Sequence, residues 1–299
     1  LLAVALWVVA SRALRPLEQT ARAMDNIGVG DLTARIPSPT PDDELGRMVA
    51  SLNRLLDRLA GGVTEMRRFT ADAAHELRTP LAVLRTGLEV TLARERAADE
   101  YRTALTEALR DTEHLARLAE DLLTLARLEG LPSRAPNSPI GLAEMLQELA
   151  DAWEEAATAR GVGIDVAGDP TLSVDGIAPE LYRLFGNLIE NALHHTASGT
   201  RIEITMRRDG DWARVCVIDG GLGLATDQLE RVFERFYRAP GTKAPGTGLG
   251  LSIARAIARA HQGDVKLWNH SRGGCVAEVS LPLGGAAERG ARAVSTSDS

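Results

Sequence analysis

Apolar side chains that recur every three or four residues run through two long segments, and this periodicity constrains the fold more than any other feature. One series extends over 66–92 and the other over 101–125. This spacing places the side chains of each series on one face of an α-helix. The polar stretch 95–100 between them predicts a helical hairpin over 66–129. A lone hairpin leaves its leucine stripe exposed, so we expect a homodimeric four-helix bundle.

Two shorter periodic runs, 17–27 and 44–60, flank a connector rich in glycine and proline. Such short amphipathic helices cannot bury both faces alone, which favours a parallel coiled coil with a second chain. With Pro16 near its start and Asp-Glu-Leu-Gly at 43–46 opening its second helix, the segment 15–65 resembles a HAMP signal relay. A solvated linker is the alternative interpretation.

The first residues are apolar, with no charge before Arg12. This run is shorter than the ~20 residues that span a bilayer. We interpret 1–14 as the end of a transmembrane helix whose beginning is missing; the start of a buried helix is the alternative. Because basic residues favour the inner side, Arg12 and Arg15 predict an inner or plasma membrane protein that is cytoplasmic from about residue 12 onward.

The pattern changes after a proline-containing linker at 130–140. The segment 141–284 predicts two helices on one face of a mixed sheet, a two-layer α/β sandwich. The tail 285–299 is expected to be disordered. The predicted helices lie near 141–159, 178–194, 226–234 and 249–262, and the predicted strands at 163–167, 202–207, 213–218, 264–268 and 275–281.

Charge and cysteine content exclude some functions. With 34 basic and 41 acidic residues, the net charge of −7 argues against direct nucleic-acid binding. Cys216 and Cys275 have no metal-ligand spacing, and their place in predicted strands indicates small buried apolar residues.

Two glycine clusters could approach phosphate groups. Asp-Gly-Gly-Leu-Gly at 219–223 closes a strand, and Gly-Thr-Gly-Leu-Gly-Leu at 246–251 opens a helix. Glycines admit an anion to backbone N–H groups, and a helix N-terminus favours negative charge. Each cluster alone could equally be a turn, and neither a P-loop nor a Rossmann motif is present.

Asn187 and Asn191 strengthen the case for a nucleotide site. They are four residues apart on the predicted helix 178–194, so both side chains leave one face. Amide oxygens suit a hard cation such as Mg²⁺. The order of asparagine helix, Asp-Gly strand end and glycine-rich helix start resembles the Bergerat (GHKL) ATPase fold. Sensor histidine kinases, type II topoisomerases, the 90 kDa heat-shock chaperone and mismatch-repair ATPases share that fold.

His75 distinguishes among these relatives. Offset by two residues from Ala73 and from Leu77 in the apolar series, it is expected to point into solvent. The sequence 69–81, Phe-Thr-Ala-Asp-Ala-Ala-His-Glu-Leu-Arg-Thr-Pro-Leu, resembles the phosphoacceptor box of sensor histidine kinases. A solvated surface histidine is the alternative.

The resemblance implies a protein-histidine kinase that uses ATP and Mg²⁺. His75 would attack the γ-phosphate, Glu76 would accept the imidazole proton, and Thr79 would position a water for phosphatase activity. The phosphoryl group would pass to an aspartate of a response regulator receiver domain.

The resemblance also implies roles around the nucleotide. Asn191 would hold Mg²⁺ with support from Asn187, and Asp219 would contact the adenine amino group. Residues 235–248 would form a lid. Gly221 and Gly223 would leave room for the adenine ring. The hinges of the lid would be Gly241, Gly246 and Gly248. Gly248 and Gly250 would bring backbone N–H groups to the phosphates.

One position departs from the family pattern. His194 stands where the family often has a basic residue against a phosphate, and it would give a weaker, pH-dependent contact. Lys243 or Arg238 could compensate. Two other functions are left open by the sequence: a degenerate kinase that signals only by shape, and a nucleotide-dependent chaperone or topoisomerase subunit.

Overall fold

The computed structural model describes residues 3, 34–37, 44–129, 138–240 and 246–284. The chain divides into two compact units, Leu1–Val83 and Leu84–Ser299. The predicted membrane segment, apart from residue 3, lies outside the described residues. So do the first predicted helix, at 17–27, and the C-terminal tail.

The helical region consists of α1 (Glu44–Leu92) and α2 (Ala98–Glu129). The sequence predicts a separate helix at 44–60, and this is wrong, because α1 continues without a break into the predicted hairpin. The polar break is confirmed as the turn before α2. There Glu100, in the first turn of α2, accepts a hydrogen bond from the backbone N–H of Ala97, half of a capping box.

The extended segment 34–37 packs against the start of α1. Ile36 is buried, and its backbone N–H and C=O each bond to the side-chain amide of Asn53 at 3.0 Å. Arg35 also pairs with Asp57. A single asparagine therefore satisfies both backbone groups of a residue that belongs to no strand.

The C-terminal unit contains a five-stranded mixed sheet. Its order is β2-β4-β5-β7-β6, with β2 and β4 parallel and the other neighbours antiparallel. The strands are β2 (Gly163–Gly168), β4 (Arg201–Asp209), β5 (Trp212–Ile218), β6 (Asp264–Asn269) and β7 (Cys275–Pro282). All five predicted strands are confirmed, because each carries the alternating or continuous apolar pattern of a buried strand.

A second, two-stranded sheet was not predicted. It pairs β1 (Ser138–Gly141) antiparallel with β3 (Ser173–Gly176). The predicted linker 130–140 therefore overlaps a strand. Pro139 and a length of four residues hide the strand signal, since proline is tolerated only at such edge positions.

Three helices, not the predicted two, pack on the five-stranded sheet. They are α3 (Leu142–Ala159), α4 (Ala178–His195) and α5 (Gly250–Ala260), and contacts connect each of them with its strands. The core between the helices and the sheet includes Leu146, Leu184, Phe185, Leu188, Ile189, Ile202, Ile204, Val215, Ile253, Ile257, Val265 and Val279.

The helix predicted at 226–234 is wrong. This segment forms turns and one 3₁₀ turn, Arg231–Phe233. Most of its backbone bonds reach back three residues, as from Phe233 N–H to Glu230 O, and Phe236 then adopts a positive φ of 62°. Short i→i+3 runs and a left-handed residue leave no room for an α-helix.

His261 ties the end of α5 to the start of α4. Its side chain is only 6% exposed. Nε2 accepts the backbone N–H of Ile177 at 3.1 Å, and Nδ1 lies 2.9 Å from the carbonyl of Ile257. Both ring nitrogens are thus used inside the fold.

We expect His261→Ala to lower the free energy of unfolding by about 2–3 kcal/mol, because a buried side chain is truncated and the Ile177 N–H loses its acceptor. Urea denaturation followed by circular dichroism measures this. Lys266→Ala, at an exposed strand position, serves as control and should change stability little. Equal midpoints for the two variants would contradict the bridging role.

Candidate functional site

A cavity of about 950 Å³ opens in the C-terminal unit between α2, α4 and the start of α5. The loop after β5 and the segment after the 3₁₀ turn complete its wall. Among the predicted site residues, those that line it are Asn187, Asn191, His194, Asp219, Gly223, Gly246, Gly248 and Gly250. Three motifs separated in sequence are therefore assembled around one space.

Asp219 lies at the end of β5 and is only 8% exposed. Its Oδ1 accepts the backbone N–H groups of Gly221 at 2.9 Å and Cys275 at 3.1 Å. Burial raises the pKa of this carboxyl, and the two backbone hydrogen bonds oppose that rise. Because both bonds go to Oδ1, Oδ2 has no partner within the part of the chain that the structure describes.

Gly221 is not in the cavity wall. A Cβ there would lie 2.8 Å from both Asp219 Oδ1 and the carbonyl oxygen of His195. This glycine therefore allows the close approach that holds the Asp219 carboxylate in place. The predicted role of Gly221 in leaving room for a ligand ring is separate from this contact and stays a prediction.

Asn187 carries an unsatisfied polar group. Its Nδ2 is buried and has no hydrogen-bond partner among the described residues. Buried amides in native proteins are nearly always hydrogen-bonded, so an unpaired one at a cavity wall indicates a site for a polar ligand. Asn191 lies one turn further along α4 and lines the same cavity.

The amino end of α5 faces this pair of asparagines. Gly250, the first residue of α5, is close enough that a Cβ would lie 3.8 Å from Asn187 Cγ. Gly248 has a φ of +71°, and a Cβ there would come within 2.7 Å of the Phe236 backbone. Position 248 thus needs glycine, and the start of α5 presents the N-terminal N–H groups of a helix, which attract anions.

The start and end of the predicted lid are joined by a backbone hydrogen bond. Phe236 N–H donates to the carbonyl of Gly248 at 3.0 Å. Gly241 and Lys243 lie outside the described residues, so hinge and phosphate roles there stay predictions. Arg238 does line the cavity.

His194 is half-buried in the cavity wall. Burial, assisted by the nearby Arg160 and His195, lowers the pKa of its imidazole. It is therefore mainly neutral at pH 7.

Helix α2 also contributes to the cavity, which the sequence did not predict. Arg117, Glu120 and Asp121 line it, together with Arg183 and Glu190 of α4. Burial raises the pKa of Glu190, and Asp121 adds to this effect. No sequence signal reveals these residues, because they meet only through the packing of α2 against α4 and α5.

His75, Glu76 and Thr79 lie on exposed positions of α1 and are not among the described cavity residues. Their neighbours Ala73 and Leu77 are half-buried, as the offset of His75 from the apolar series predicts. Thr79 Oγ1 donates to the His75 carbonyl at 3.3 Å. Pro80 lacks the N–H that would bond the carbonyl of Glu76.

The donor set fits a nucleotide better than an isolated metal. Within the described ranges, no group of three or more histidine, cysteine or acidic residues could hold a metal ion. A cation near Asn191 would therefore need further ligands from a bound phosphate. Mg²⁺ in proteins is commonly held in this way. The unpaired amide of Asn187 and the glycine-lined helix start fit the triphosphate of ATP.

None of the helices among the described residues is both long and apolar enough to cross a bilayer. The segment 1–14 is not tested by this finding, since all but residue 3 of it lies outside the described part.

Family models match three segments of the chain. The HAMP domain model matches 8–61, and the His Kinase A (phospho-acceptor) domain model matches 65–131. The model of histidine kinase-, DNA gyrase B- and HSP90-like ATPases matches 176–285.

Curated and solved proteins agree with these matches. The chain is 33% identical over 286 residues to the signal transduction histidine-protein kinase BaeS of Escherichia coli K12, covering 95% of this chain and 61% of that protein. The structure of ShkA in complex with AMPPNP is similar with a TM-score of 0.54 and 27% identity, over 73% of this chain and 46% of that one.

A histidine kinase ThkA structure, in complex with response regulator protein TrrA, has the same fold. Its TM-score is 0.61 at 21% identity, over 75% of this chain and 63% of that one. Together with the three domain matches in this order, these similarities show that the chain belongs to the sensor histidine kinases.

Proposed function

We propose that the cavity binds ATP and that the chain transfers its γ-phosphoryl group to His75. The unpaired buried amide of Asn187, beside the N-terminus of α5, is the observation that carries this proposal. The AMPPNP bound in the related ShkA structure supports it. The chain spans 61% of the length of BaeS.

Each end of the nucleotide has matching groups. The free Oδ2 of Asp219 would accept a hydrogen bond from the adenine amino group. The amides at the start of α5, with Gly246, Gly248 and Gly250, would bind the phosphates. Asn191 would hold Mg²⁺, with Asn187 beside it, and the ion would neutralise phosphate charge.

His75 would act as the nucleophile. A neutral imidazole nitrogen forms a P–N bond while the bond between the γ-phosphorus and its bridging oxygen breaks, and ADP leaves with the electron pair. Glu76 would accept the proton from the other ring nitrogen. The exposed positions of both residues on α1 permit this chemistry.

The partners follow from the same architecture. Large side chains of the two apolar series are exposed in the single chain, including Leu81, Leu92, Leu105 and Leu109. A homodimeric four-helix bundle would bury them. The response regulator in the ThkA complex supports a receiver-domain aspartate as the next phosphoryl acceptor. Thr79 would support phosphatase activity, and the N-terminal segment would anchor the chain at the inner or plasma membrane.

Labelled ATP distinguishes this function from its alternatives. Incubation with γ-labelled ATP should leave acid-labile, alkali-stable phosphate on the protein. Free phosphate without labelled protein would favour a chaperone-like or topoisomerase-like ATPase. If neither product forms, the degenerate kinase remains and the proposed transfer is refuted.

His194 should make nucleotide affinity depend on pH. Phosphate favours its protonated form, and its lowered pKa keeps it mostly neutral at pH 7. Affinity for Mg-ATP should therefore gain a contribution as pH falls through that lowered pKa and lose it as pH rises. His194→Lys should bind roughly fivefold more tightly at pH 7.5, since a permanent charge replaces a neutral ring.

Calorimetric titrations between pH 5.5 and 8 test this expectation. His194→Gln is the control. Protonation of Asp219 also changes affinity as pH falls, but it does so equally in this variant and in the wild type. The difference between these two proteins isolates the histidine. Identical pH profiles for wild type and His194→Gln would contradict the role.

A further inference from the structure

The final turns of α2 are tied to the ATPase-like domain by one arginine. Arg183 of α4 donates Nη2 to Asp121 Oδ1 at 2.6 Å and Nη1 to Thr124 Oγ1 at 2.5 Å. The side chains of Arg183 and Asp121 are 30% and 19% exposed, so the pair is partly shielded from water. Asp121 and Thr124 are one turn apart, and the guanidinium therefore holds a single turn of α2.

The same carboxylate reaches the amino end of α5. Thr247 Oγ1 lies 3.4 Å from Asp121 Oδ2, and it accepts the backbone N–H of Leu249 at 3.3 Å. Thr247 stands between Gly246 and Gly248, where the proposed triphosphate would bind. Asp121 thus connects α4, α2 and the phosphate end of the cavity.

Acidic and basic side chains line this cavity together. Glu120, Asp121 and Glu190 are the acids, and Arg117, Arg183 and Arg238 are the bases. Among these acids, Asp121 is the one that contacts Thr247. Burial raises the pKa of Glu190, Asp121 adds to that rise, and Arg117 opposes it. A triphosphate bound at 246–250 would bring further negative charge next to Asp121.

We propose that Asp121, Thr124, Arg183 and Thr247 form a hairpin clasp that competes with nucleotide. The proposal rests on the function proposed above, namely ATP bound at this cavity. Asp121 holds Thr247 and adds negative charge where the phosphates bind, so the clasped state binds nucleotide weakly. By linkage, bound nucleotide must loosen the attachment of α2 by the same factor.

Calorimetry with Mg-AMPPNP on the whole chain tests the first half of this proposal. Asp121→Asn should bind about fivefold more tightly, because it removes the charge while keeping the shape. Thr124→Val should bind about threefold more tightly without any change of charge, since it removes one of the two clasp bonds. Glu113→Gln is the matched control: it removes an exposed acidic charge of α2 that does not line the cavity, and affinity should change by less than about twofold.

Amide hydrogen exchange over 117–125 tests the second half. Mg-AMPPNP should accelerate exchange of this segment in the wild type and do so less in Asp121→Asn, where the clasp is already weakened. Equal or weaker binding by Asp121→Asn and Thr124→Val would overturn the clasp, as would slower exchange with nucleotide. A wild-type protein that binds no nucleotide would instead refute the proposed function, and the clasp with it.

Discussion

His75→Gln is expected to abolish protein-bound phosphate after incubation with labelled ATP. Glutamine keeps a polar side chain on the exposed face of α1 but has no nucleophilic ring nitrogen. Because the substitution lies in α1 and not in the cavity wall, Mg-ATP affinity should stay within about twofold of the wild type. Acid-labile label measured by filter binding, together with calorimetry, separates the two effects.

The matched control for this variant is His114→Gln, the same substitution on the other helix of the hairpin. It should retain the label. Acid-labile phosphate that persists in His75→Gln would show that another residue is the acceptor. Loss of label in both variants would point to a damaged hairpin instead.

Asn191→Ala is expected to weaken Mg-ATP binding roughly 100-fold, about 2.7 kcal/mol. The amide oxygen is the proposed protein ligand of the ion, and no acidic cluster among the described residues could replace it. The loss should be much smaller for ATP measured with a chelator, because the metal contact is then absent from both proteins. Calorimetry in the two conditions gives the comparison.

Asn187→Ala provides a second test of the same wall. Its buried Nδ2 has no partner in the described part of the chain, so this variant should not lose stability from a broken protein hydrogen bond. An unchanged Mg-ATP affinity for Asn191→Ala would remove the metal role, whatever the result at Asn187.

Much of this architecture is predictable from local patterns. The five strands of the main sheet carry their own apolar signal, and the exposure of His75 follows from its offset from Ala73 and Leu77. The asparagine pair and residues of both glycine segments also line one cavity. Their residue types made this predictable, because a phosphate site needs amide side chains and backbone that can approach the ligand closely.

Features that depend on distant contacts were missed. The strand β1 exists only because β3 pairs with it, and its proline suppresses the local signal. Arg183 and Asp121 look like ordinary exposed helix charges until α2 is packed against α4. The segment 226–234 shows the reverse error, since a helix-like composition there is overridden by turns and by the positive φ of Phe236.

The unbroken α1 fixes the azimuth of His75 relative to the residues at the start of the helix. Between Glu44 and His75 the backbone rises about 47 Å, with about 100° of rotation per residue. Gly61 and Gly62 lie within this stretch without interrupting it. Any displacement applied at the start of the helix therefore reaches His75 as axial shift, tilt or rotation. A one-residue change in length would turn the imidazole by more than a quarter of a circle, whereas seven residues would nearly restore its phase.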